Sequence, residues 1–186
     1  MNSNAGKLKL PIETPRLLLS LWEEEDFEGY WNLCRESAKG NFFEGWAMNR
    51  EKAVDFFRWQ RSKYEKMDPV TDIIGLAVIE KESGSRAGHV SVGRHGLHDE
   101  TEISYGLLPS YRGKGYATEA CSALTEWAFS HFSLSYIIGT APAENSASCR
   151  VLEKSGFTFV RNEMEAVPLL GRSLLFTYWR KYRETA

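Results

Sequence analysis

The stretch from Glu102 to Thr140 constrains the fold most, because it combines a strand, a glycine-rich turn, a helix and a second strand. The first strand, Glu102–Leu108, is ended by Pro109. Tyr116–Phe132 carries its apolar residues at helical spacing, and Tyr136–Thr140 is a short strand-like run after it. Two strands joined through a helix predict a βαβ crossover with parallel strands. The chain therefore requires a sheet that is covered by helices.

The residues before this unit predict strands of the opposite pairing. Ile73–Ile79 is continuously apolar and contains β-branched residues, as expected for a central strand covered on both faces. Gly84 and Gly88 bracket a hairpin turn, after which His89–Val92 forms the next strand. Because three strands follow one another with short connections, we expect them to pair antiparallel.

The remaining elements complete an α/β (α+β) prediction. They are a strand at Arg16–Trp22, helices at Glu25–Ser37, from Asn49 to before Asp68 and at Ser146–Ser155, and strands at Phe157–Glu165 and Ser173–Trp179. Together they predict a mixed, mostly antiparallel sheet of six to seven strands with about four helices. With 186 residues, the chain is expected to form one domain over 1–186, with its core at about 12–182.

Composition limits the functions that such a fold can carry. The 23 Lys and Arg residues against 25 Asp and Glu give a net charge of −2, which argues against a nucleic-acid-binding surface. No apolar run approaches the roughly 20 residues of a membrane span, and the polar start from Met1 to Lys9 lacks an export signal. Three cysteines form an odd set, which fits a reducing compartment. We expect a cytoplasmic protein that binds neither nucleic acid nor membranes.

The turn between the strand and the helix of the βαβ unit carries the chemistry. Gly113 and Gly115 allow successive backbone N–H groups to point into one space, and the helix that starts at Tyr116 adds its first N–H groups. Arg112 and Lys114 place positive charge at the rim. The pattern predicts a cradle for a pyrophosphate.

Two other phosphate-binding motifs do not match this turn. A P-loop has four residues between its glycines, followed by Lys and Ser or Thr, and that spacing is absent. A dinucleotide fingerprint needs a third small residue, where Thr118 stands, and an acidic residue about 20 positions later. Trp127–Ala143 contains no Asp or Glu. A glycine-rich turn that binds no ligand stays open as the alternative.

Arg112–Ala117 resembles the Arg/Gln-x-x-Gly-x-Gly/Ala signature of the GNAT family of N-acetyltransferases, in which this loop holds the pyrophosphate of acetyl-coenzyme A. Asn145–Ser148 followed by Val151–Phe157 is similar to the later helix of that family, with its Asn and its terminal Gly-Phe. Three further segments resemble the RimJ/RimL-like branch of ribosomal-protein N-terminal acetyltransferases: Thr14–Leu19, Glu102–Tyr105 and Gly171–Arg172. The resemblance extends from about Ile12 to Arg180.

The resemblance implies the GNAT fold, acetyl-coenzyme A as co-substrate and no metal. It also implies that the strand ending at Leu107 and Leu108 splays from the next parallel strand, so that a free backbone N–H there serves as oxyanion donor. Asn145 would bind the pantetheine arm, cap its helix, or do both. The implied cofactor-binding residues are Leu107, Leu108, Arg112, Gly113, Lys114, Gly115, Tyr116, Ala117 and Asn145.

Acetyl transfer needs a base for the amine and a proton for the thiolate. Glu102 is the candidate base because it lies on the strand that leads to the cradle. Alternatively, Glu102 is an exposed strand residue or only orients the substrate ammonium. His89 or His95 could then act as the base. Many relatives place a Tyr that serves as general acid seven residues after the Asn, where this chain has Leu152. The RimJ/RimL-like resemblance then leaves Ser148 as the hydroxyl, unless it is only a helix N-terminal residue.

The acceptor side is less constrained by sequence. The resemblance places the acceptor wall at Trp31, Phe42, Phe43 and Trp46, while packing over the core is the alternative. The histidines and acidic residues of segment 95–100 could hold a metal, but a polar loop is predicted because no further ligand group is evident.

The resemblance implies a protein N-terminal α-amino group as the acceptor. A small amine or an antibiotic is the alternative, and a coenzyme A-binding module without transfer activity is the third possibility. The excess of aromatic residues also favours a homodimer.

Overall fold

The computed structural model of the protein describes residues 8–38, 49–95, 98–167 and 171–184. Over these residues the chain forms eight strands and four α-helices. In chain order the elements are β1 (Ile12–Glu13), β2 (Leu17–Ser20), α1 (Phe27–Ala38), α2 (Arg50–Ser62), β3 (Ile73–Glu80), β4 (Arg86–Gly93), β5 (Glu102–Leu107), α3 (Tyr116–His131), β6 (Tyr136–Pro142), α4 (Ser146–Lys154), β7 (Thr158–Val167) and β8 (Arg172–Tyr182). None of the helices in the described ranges is long and apolar enough to span a membrane.

All eight strands belong to one sheet in the order β1-β2-β3-β4-β5-β6-β8-β7. Neighbouring strands pair antiparallel except β5 and β6, which pair parallel across the α3 crossover. The predicted mixed, mostly antiparallel α/β fold is therefore confirmed. The sheet has one strand more than the six to seven expected, because β1 has only two residues and shows no hydrophobic pattern.

The main core lies between the sheet and helices α3 and α4. Alternate residues of β3, β4 and β5 pack there against the apolar side of α3; this buried cluster includes Ile74, Leu76, Val90, Val92, Ile103, Leu107, Ala120, Cys121 and Leu124. Because side chains alternate along a strand, these residues define one face of the sheet. We call it the α3/α4 face.

Helices α1 and α2 cover the opposite face, which we call the α1/α2 face. Its smaller cluster joins Trp22, Tyr30 of α1, Phe57 of α2 and Ala77 of β3. The rings of Trp22 and Tyr30 meet edge to face at 5.3 Å between centroids. Helix α2 begins as predicted at Asn49, whose side chain accepts a hydrogen bond from the backbone N–H at position 52.

Helix α4 docks on β6 through one close contact. Leu152 is 1% exposed and lies directly over Gly139, where a Cβ would collide with the Leu152 side chain. A glycine at this strand position therefore sets the distance between α4 and the sheet. It thereby places the N-terminus of α4, which carries Asn145 and Ser148, beside β6.

We expect Gly139→Ala to lower the free energy of unfolding by about 1–3 kcal/mol, because the new methyl group overpacks the contact with Leu152. Urea denaturation measures the change. The matched control is Gly29→Ala in α1, where the nearest atom is the Cδ of Arg86 at 3.4 Å; there we expect no loss of stability. Equal stability of the Gly139→Ala protein and the wild type would contradict this account of α4 docking.

Candidate functional site

A cleft opens in the sheet between β5 and β6. Among the described residues the two strands pair only at Glu102 and Ile138, where the N–H of Ile138 donates to the carbonyl of Thr101 at 2.9 Å. Beyond this point β5 stays paired with β4, and β6 stays paired with β8. The strands therefore part into a V that widens toward the C-terminal end of β5.

The backbone of β5 presents polar groups to this cleft. The N–H of Leu108 donates to the carbonyl of Ala87 at 2.9 Å, so Leu108 is turned toward β4. Antiparallel ladders alternate, so the N–H groups of Leu107 and Tyr105 point the other way, into the cleft. Of the two candidate oxyanion donors, Leu107 faces the cleft and Leu108 does not, because its N–H is already bonded. Sequence reasoning missed Tyr105, which the alternation of the strand could have identified.

The glycine-rich turn stands at the open end of the cleft, as predicted. Gly113 and Gly115 have φ values of 77° and 82°, a left-handed conformation that glycine adopts without steric cost. Gly115 is the N-cap of α3 and caps it without a side chain, so the first N–H groups of the helix remain directed at the turn. The side chain of Arg112 folds back, and its Nε donates to the Leu107 carbonyl at 3.1 Å.

A third basic residue, Arg16, reaches this turn from the position directly before β2. Arg16 Nη1 donates to the carbonyl of Lys114 at 2.8 Å, and its guanidinium carbon lies 4.7 Å from the ring centroid of Tyr116. Arg16 also forms a salt bridge with Glu119 in the first turn of α3, at 2.6 Å. Glu119 accepts a further hydrogen bond from Thr14 Oγ1 at 2.6 Å. The Thr14–Arg16 segment, which belongs to the family resemblance, therefore holds the turn in place.

Glu80 of β3 supports the same turn from the other side. It accepts the hydroxyl of Tyr116 at 2.6 Å and lies 3.8 Å from Lys114 Nζ. Lys114 Nζ is also 5.1 Å from the ring centroid of Tyr111. These contacts hold both sides of the cradle by charge and hydrogen bonding rather than by apolar packing.

Glu102 lies at the closed end of the cleft, on the α1/α2 face. It is 7% exposed, so the alternative prediction of an exposed strand residue was wrong. Its Oε1 accepts from the hydroxyl of Thr140 at 2.6 Å and from the backbone N–H of Thr140 at 3.2 Å. Burial raises the pKa of Glu102, although the Thr140 hydrogen bonds act in the opposite direction. A carboxylate with a raised pKa can exchange a proton nearer to neutral pH.

The start of α4 borders the cleft on the α3/α4 face. Asn145 caps the helix, since its Oδ1 accepts from the N–H of Ser148 at 3.1 Å. The hydroxyl of Tyr105 donates to the carbonyl of Ser148 at 3.0 Å and so links β5 to α4 across the cleft. Leu152, at the position of the family's Tyr, is buried in the core and carries no proton donor.

Of the four residues of the predicted acceptor wall, the structure describes one. Trp31 lies half-buried on α1, with the Arg35 guanidinium carbon 5.9 Å from its ring centroid. Phe42, Phe43 and Trp46 lie outside the described residues.

His95 and His98, from the segment that was predicted to be a polar loop instead of a metal site, contact different partners. His95 Nε2 is 3.4 Å from Ser91 Oγ, and His98 Nε2 is 3.7 Å from a carboxylate oxygen of Glu165. Within the part of the chain that the structure describes, no group of three or more His, Cys, Asp or Glu residues is placed to hold a metal ion.

Comparison with known proteins identifies the family. Residues 16–158 match the model described as the acetyltransferase (GNAT) domain. The chain belongs to the GNAT family of acetyltransferases. Bacillus subtilis YoaA, named as an N-acetyltransferase, is 36% identical over 150 residues, which cover 78% of this chain and 81% of YoaA. This GNAT chain is thus an N-acetyltransferase by family.

Solved structures agree with this GNAT fold. A GNAT-family acetyltransferase from Bacillus anthracis superposes with a TM-score of 0.75 at 25% identity, covering 92% of this chain and 97% of that one. RimL, described as a ribosomal L7/L12 alpha-N-protein acetyltransferase in complex with coenzyme A, gives a TM-score of 0.77 at 15% identity. That match covers 92% of this chain and 97% of RimL, and it shows the shared fold.

We expect Glu119→Gln to lower the free energy of unfolding by roughly 1–2 kcal/mol at pH 7, because it weakens the hydrogen bonds from Thr14 and Arg16. Although desolvation raises the pKa of Glu119, these hydrogen bonds outweigh it and lower the pKa overall. The stabilisation is therefore present above about pH 4.3, the unfolded value, and is lost as the pH falls through the lower folded value.

Urea denaturation at several pH values measures this difference between wild type and variant. The matched control is Glu126→Gln on the same helix, whose side chain is 64% exposed and pairs with Lys181, and which should change stability by less than about 0.5 kcal/mol. If the loss of unfolding free energy in Glu119→Gln is as large at the most acidic pH as at pH 7, the result would contradict this role of the ionised Glu119 carboxylate.

Proposed function

We propose that this GNAT enzyme transfers the acetyl group of acetyl-coenzyme A to the α-amino group of a protein N-terminus. One observation carries the co-substrate assignment: the left-handed glycine turn at the start of α3 lies at the open end of the β5–β6 cleft. An anion cradle followed by a channel with free backbone groups suits a ligand that has a pyrophosphate and a long amide-containing arm.

The residues of the turn fit a pyrophosphate. A Cβ at Gly113 would meet nothing within 4 Å, and one at Gly115 would meet only Arg16 Nη2 at 3.4 Å, so the space beside both backbones is open. Arg16 and Lys114 supply positive charge at its rim, and the helix N-terminus supplies N–H donors. Tyr116 and Ala117 would present the first of these N–H groups to the phosphates.

Acetyl-coenzyme A would supply the acetyl group as a thioester. In our proposal the N–H groups of Tyr105 and Leu107 bind the amide-containing arm and the thioester carbonyl, where they stabilise the oxyanion of the transition state. Asn145 holds the first turn of α4 against this arm. The hydroxyl of Ser148 is the proposed catalytic hydrogen-bond donor that stabilises the departing thiolate sulfur, because Leu152 has no donor group.

Glu102 is the proposed base. As a buried carboxylate at the closed end of the cleft, it can take a proton from the acceptor ammonium directly or through a water molecule. Thr140 orients this carboxylate by two hydrogen bonds and favours its ionised form.

A protein N-terminus is supported as acceptor by the RimJ/RimL-like segments and by the shared fold with RimL. Trp31, Phe42, Phe43 and Trp46 stay the proposed acceptor wall. A homodimer, a cytoplasmic location and a single acetyltransferase domain over 1–186 also stay predictions; the three cysteines are free thiols, which fits a reducing compartment.

We expect Gly115→Asp to abolish measurable binding of acetyl-coenzyme A in calorimetry, because the carboxylate stands where the pyrophosphate belongs. Gly115→Asn is the matched control, since Asn has the same size and tolerates the left-handed conformation equally well. We expect the Asn variant to bind at least roughly tenfold more tightly than the Asp variant, equivalent to about 1.4 kcal/mol. Equal affinities of the two variants would contradict an anion cradle.

We expect Glu102→Gln to lower turnover most near neutral pH and to recover partly at higher pH, where more of the amine is already deprotonated. Thr140→Val should move the acid limb of the kcat/KM profile to higher pH by roughly 0.7 unit, because the carboxylate loses a hydrogen bond worth about 1 kcal/mol. Thr125→Val, at a buried threonine of α3, is the control and should leave the limb in place. A loss in Glu102→Gln that is equal at every pH would argue against a base.

Thiol release from acetyl-coenzyme A identifies the acceptor class. The assay compares short peptides with free N-termini, the same peptides with blocked N-termini, and a panel of small amines and aminoglycosides. We expect release only with free N-termini, and mass spectrometry of a lysate treated with the enzyme should then find acetylated protein N-termini. Release with small amines alone would overturn the proposed acceptor, and background release with every amine despite intact binding would overturn acetyl transfer itself.

A further inference from the structure

The two faces of strands β3, β4 and β5 are chemically different. On the α3/α4 face, the alternating residues are apolar and buried, except that Tyr105 is partly buried and carries a hydroxyl; the buried ones are Ile74, Leu76, Val78, Val90, Val92, Ile103 and Leu107. On the α1/α2 face, β4 and β5 carry small, polar or charged residues at the alternate positions: His89, Ser91, Gly93, Glu102, Ser104 and Gly106. On the same face, β3 carries Gly75 and Ala77 together with the aliphatic Ile73 and Ile79, and Ile79 packs against the aromatic cluster under α1 and α2. The β4 and β5 part of this face, beside the cleft, carries no large aliphatic side chain among the described residues, which is unlike a packed core. It resembles the floor of a polar binding site.

His89 occupies a specific place on this floor. It lies on β4 opposite Gly106 of β5, and a Cβ built on Gly106 would be 2.6 Å from His89 Cε1 and 3.2 Å from Nδ1. The imidazole therefore fills the space that a side chain at position 106 would take. β5 borders the cleft, and β4, which carries His89, lies about 4.8 Å behind it. The ring of His89 therefore extends across β5 to the edge of the cleft.

The ring nitrogens of His89 are without partners in the part of the chain that the structure describes. Burial lowers the pKa of His89 to about 4, so that at neutral pH the ring is uncharged and one nitrogen carries a free lone pair. His95, which interacts electrostatically with His89, instead places its Nε2 3.4 Å from Ser91 Oγ, and burial likewise lowers its pKa to about 4. The side chain of His89 is only partly buried by accessible area, so this lone pair is open to a donor that enters the cleft.

The position of the cradle indicates which face of the sheet the acetyl donor approaches and which face is left for the acceptor amine. Helices α3 and α4 cover one face, and the turn before α3 would direct the acetyl donor along that side of the cleft. A direct transfer requires the amine to approach the thioester carbonyl from the opposite side, which is the face that carries His89 and Glu102.

We propose, on the basis of the acetyl transfer proposed above, that the imidazole of His89 accepts a hydrogen bond from the acceptor amine, and that position 106 is glycine to leave room for this ring. His89 is then an acceptor-binding residue beside the base Glu102. It orients the amine so that the nitrogen lone pair faces the cleft. The sequence offered His89 only as a substitute base; the contact with Gly106 gives it a separate role.

The test is a double-mutant cycle with alaninamide as the acceptor and thiol release as the readout. We expect Gly106→Ala and His89→Ala each to raise the KM for alaninamide by roughly tenfold, while the KM for acetyl-coenzyme A changes less than about twofold. In the His89→Ala background, Gly106→Ala should have no further effect, because its methyl group acts by displacing the ring. His89→Gln should recover part of the loss, since its amide oxygen accepts a hydrogen bond.

His131→Ala is the matched histidine control; its ring stacks on Trp127 in α3 at 4.8 Å between centroids, and both KM values should stay at the wild-type level. A purely structural His89 would change both KM values and the melting temperature together, and that result would overturn the inference. So would an effect of Gly106→Ala that is equal in both backgrounds. A wild type that binds acetyl-coenzyme A but acetylates no α-amine would overturn the proposed function and this inference with it.

Discussion

The parting of β5 and β6 after the Glu102–Ile138 pair is the constraint on which the rest of the site depends. Buried backbone groups normally find partners, and a parallel ladder that ends after one residue leaves a row of N–H and carbonyl groups facing a gap. The protein satisfies only some of them itself. Arg112 bonds the Leu107 carbonyl at one end, and Thr140 meets the Glu102 carboxylate at the other. The groups between them face the open cleft, where we propose that acetyl-coenzyme A binds.

The charges of this GNAT enzyme are distributed to match that opening. With a net charge of −2, the chain has no general attraction for polyanions, yet Arg16, Arg112 and Lys114 all lie at the glycine turn. Two acidic side chains hold part of this basic group in place: Glu80 pairs with Lys114, and Glu119 pairs with Arg16. The site thus combines a local positive field with a near-neutral surface, which favours one small anionic ligand over nucleic acid.

The sequence predicted most of the fold, because its strands and helices have strong periodic patterns and its glycines mark the turns. It also predicted the glycine turn before α3, since Gly113 and Gly115 adopt positive φ values without the steric cost that other residues would have. Contacts between distant segments could not be predicted in the same way. Neither the salt bridge between Arg16 and Glu119 nor the ring of His89 over Gly106 has a local pattern, because each depends on strand order and register.

The most direct test of the account is amide hydrogen exchange of β5, measured by NMR with and without acetyl-coenzyme A. The N–H groups of Tyr105 and Leu107 should exchange at least roughly tenfold more slowly when acetyl-coenzyme A is bound, because they become hydrogen-bonded in the cleft. Leu108, already bonded to Ala87, is the internal reference and should change little. Unchanged exchange at Tyr105 and Leu107 under saturating acetyl-coenzyme A would contradict the claim that this cleft is the acetyl-transfer site.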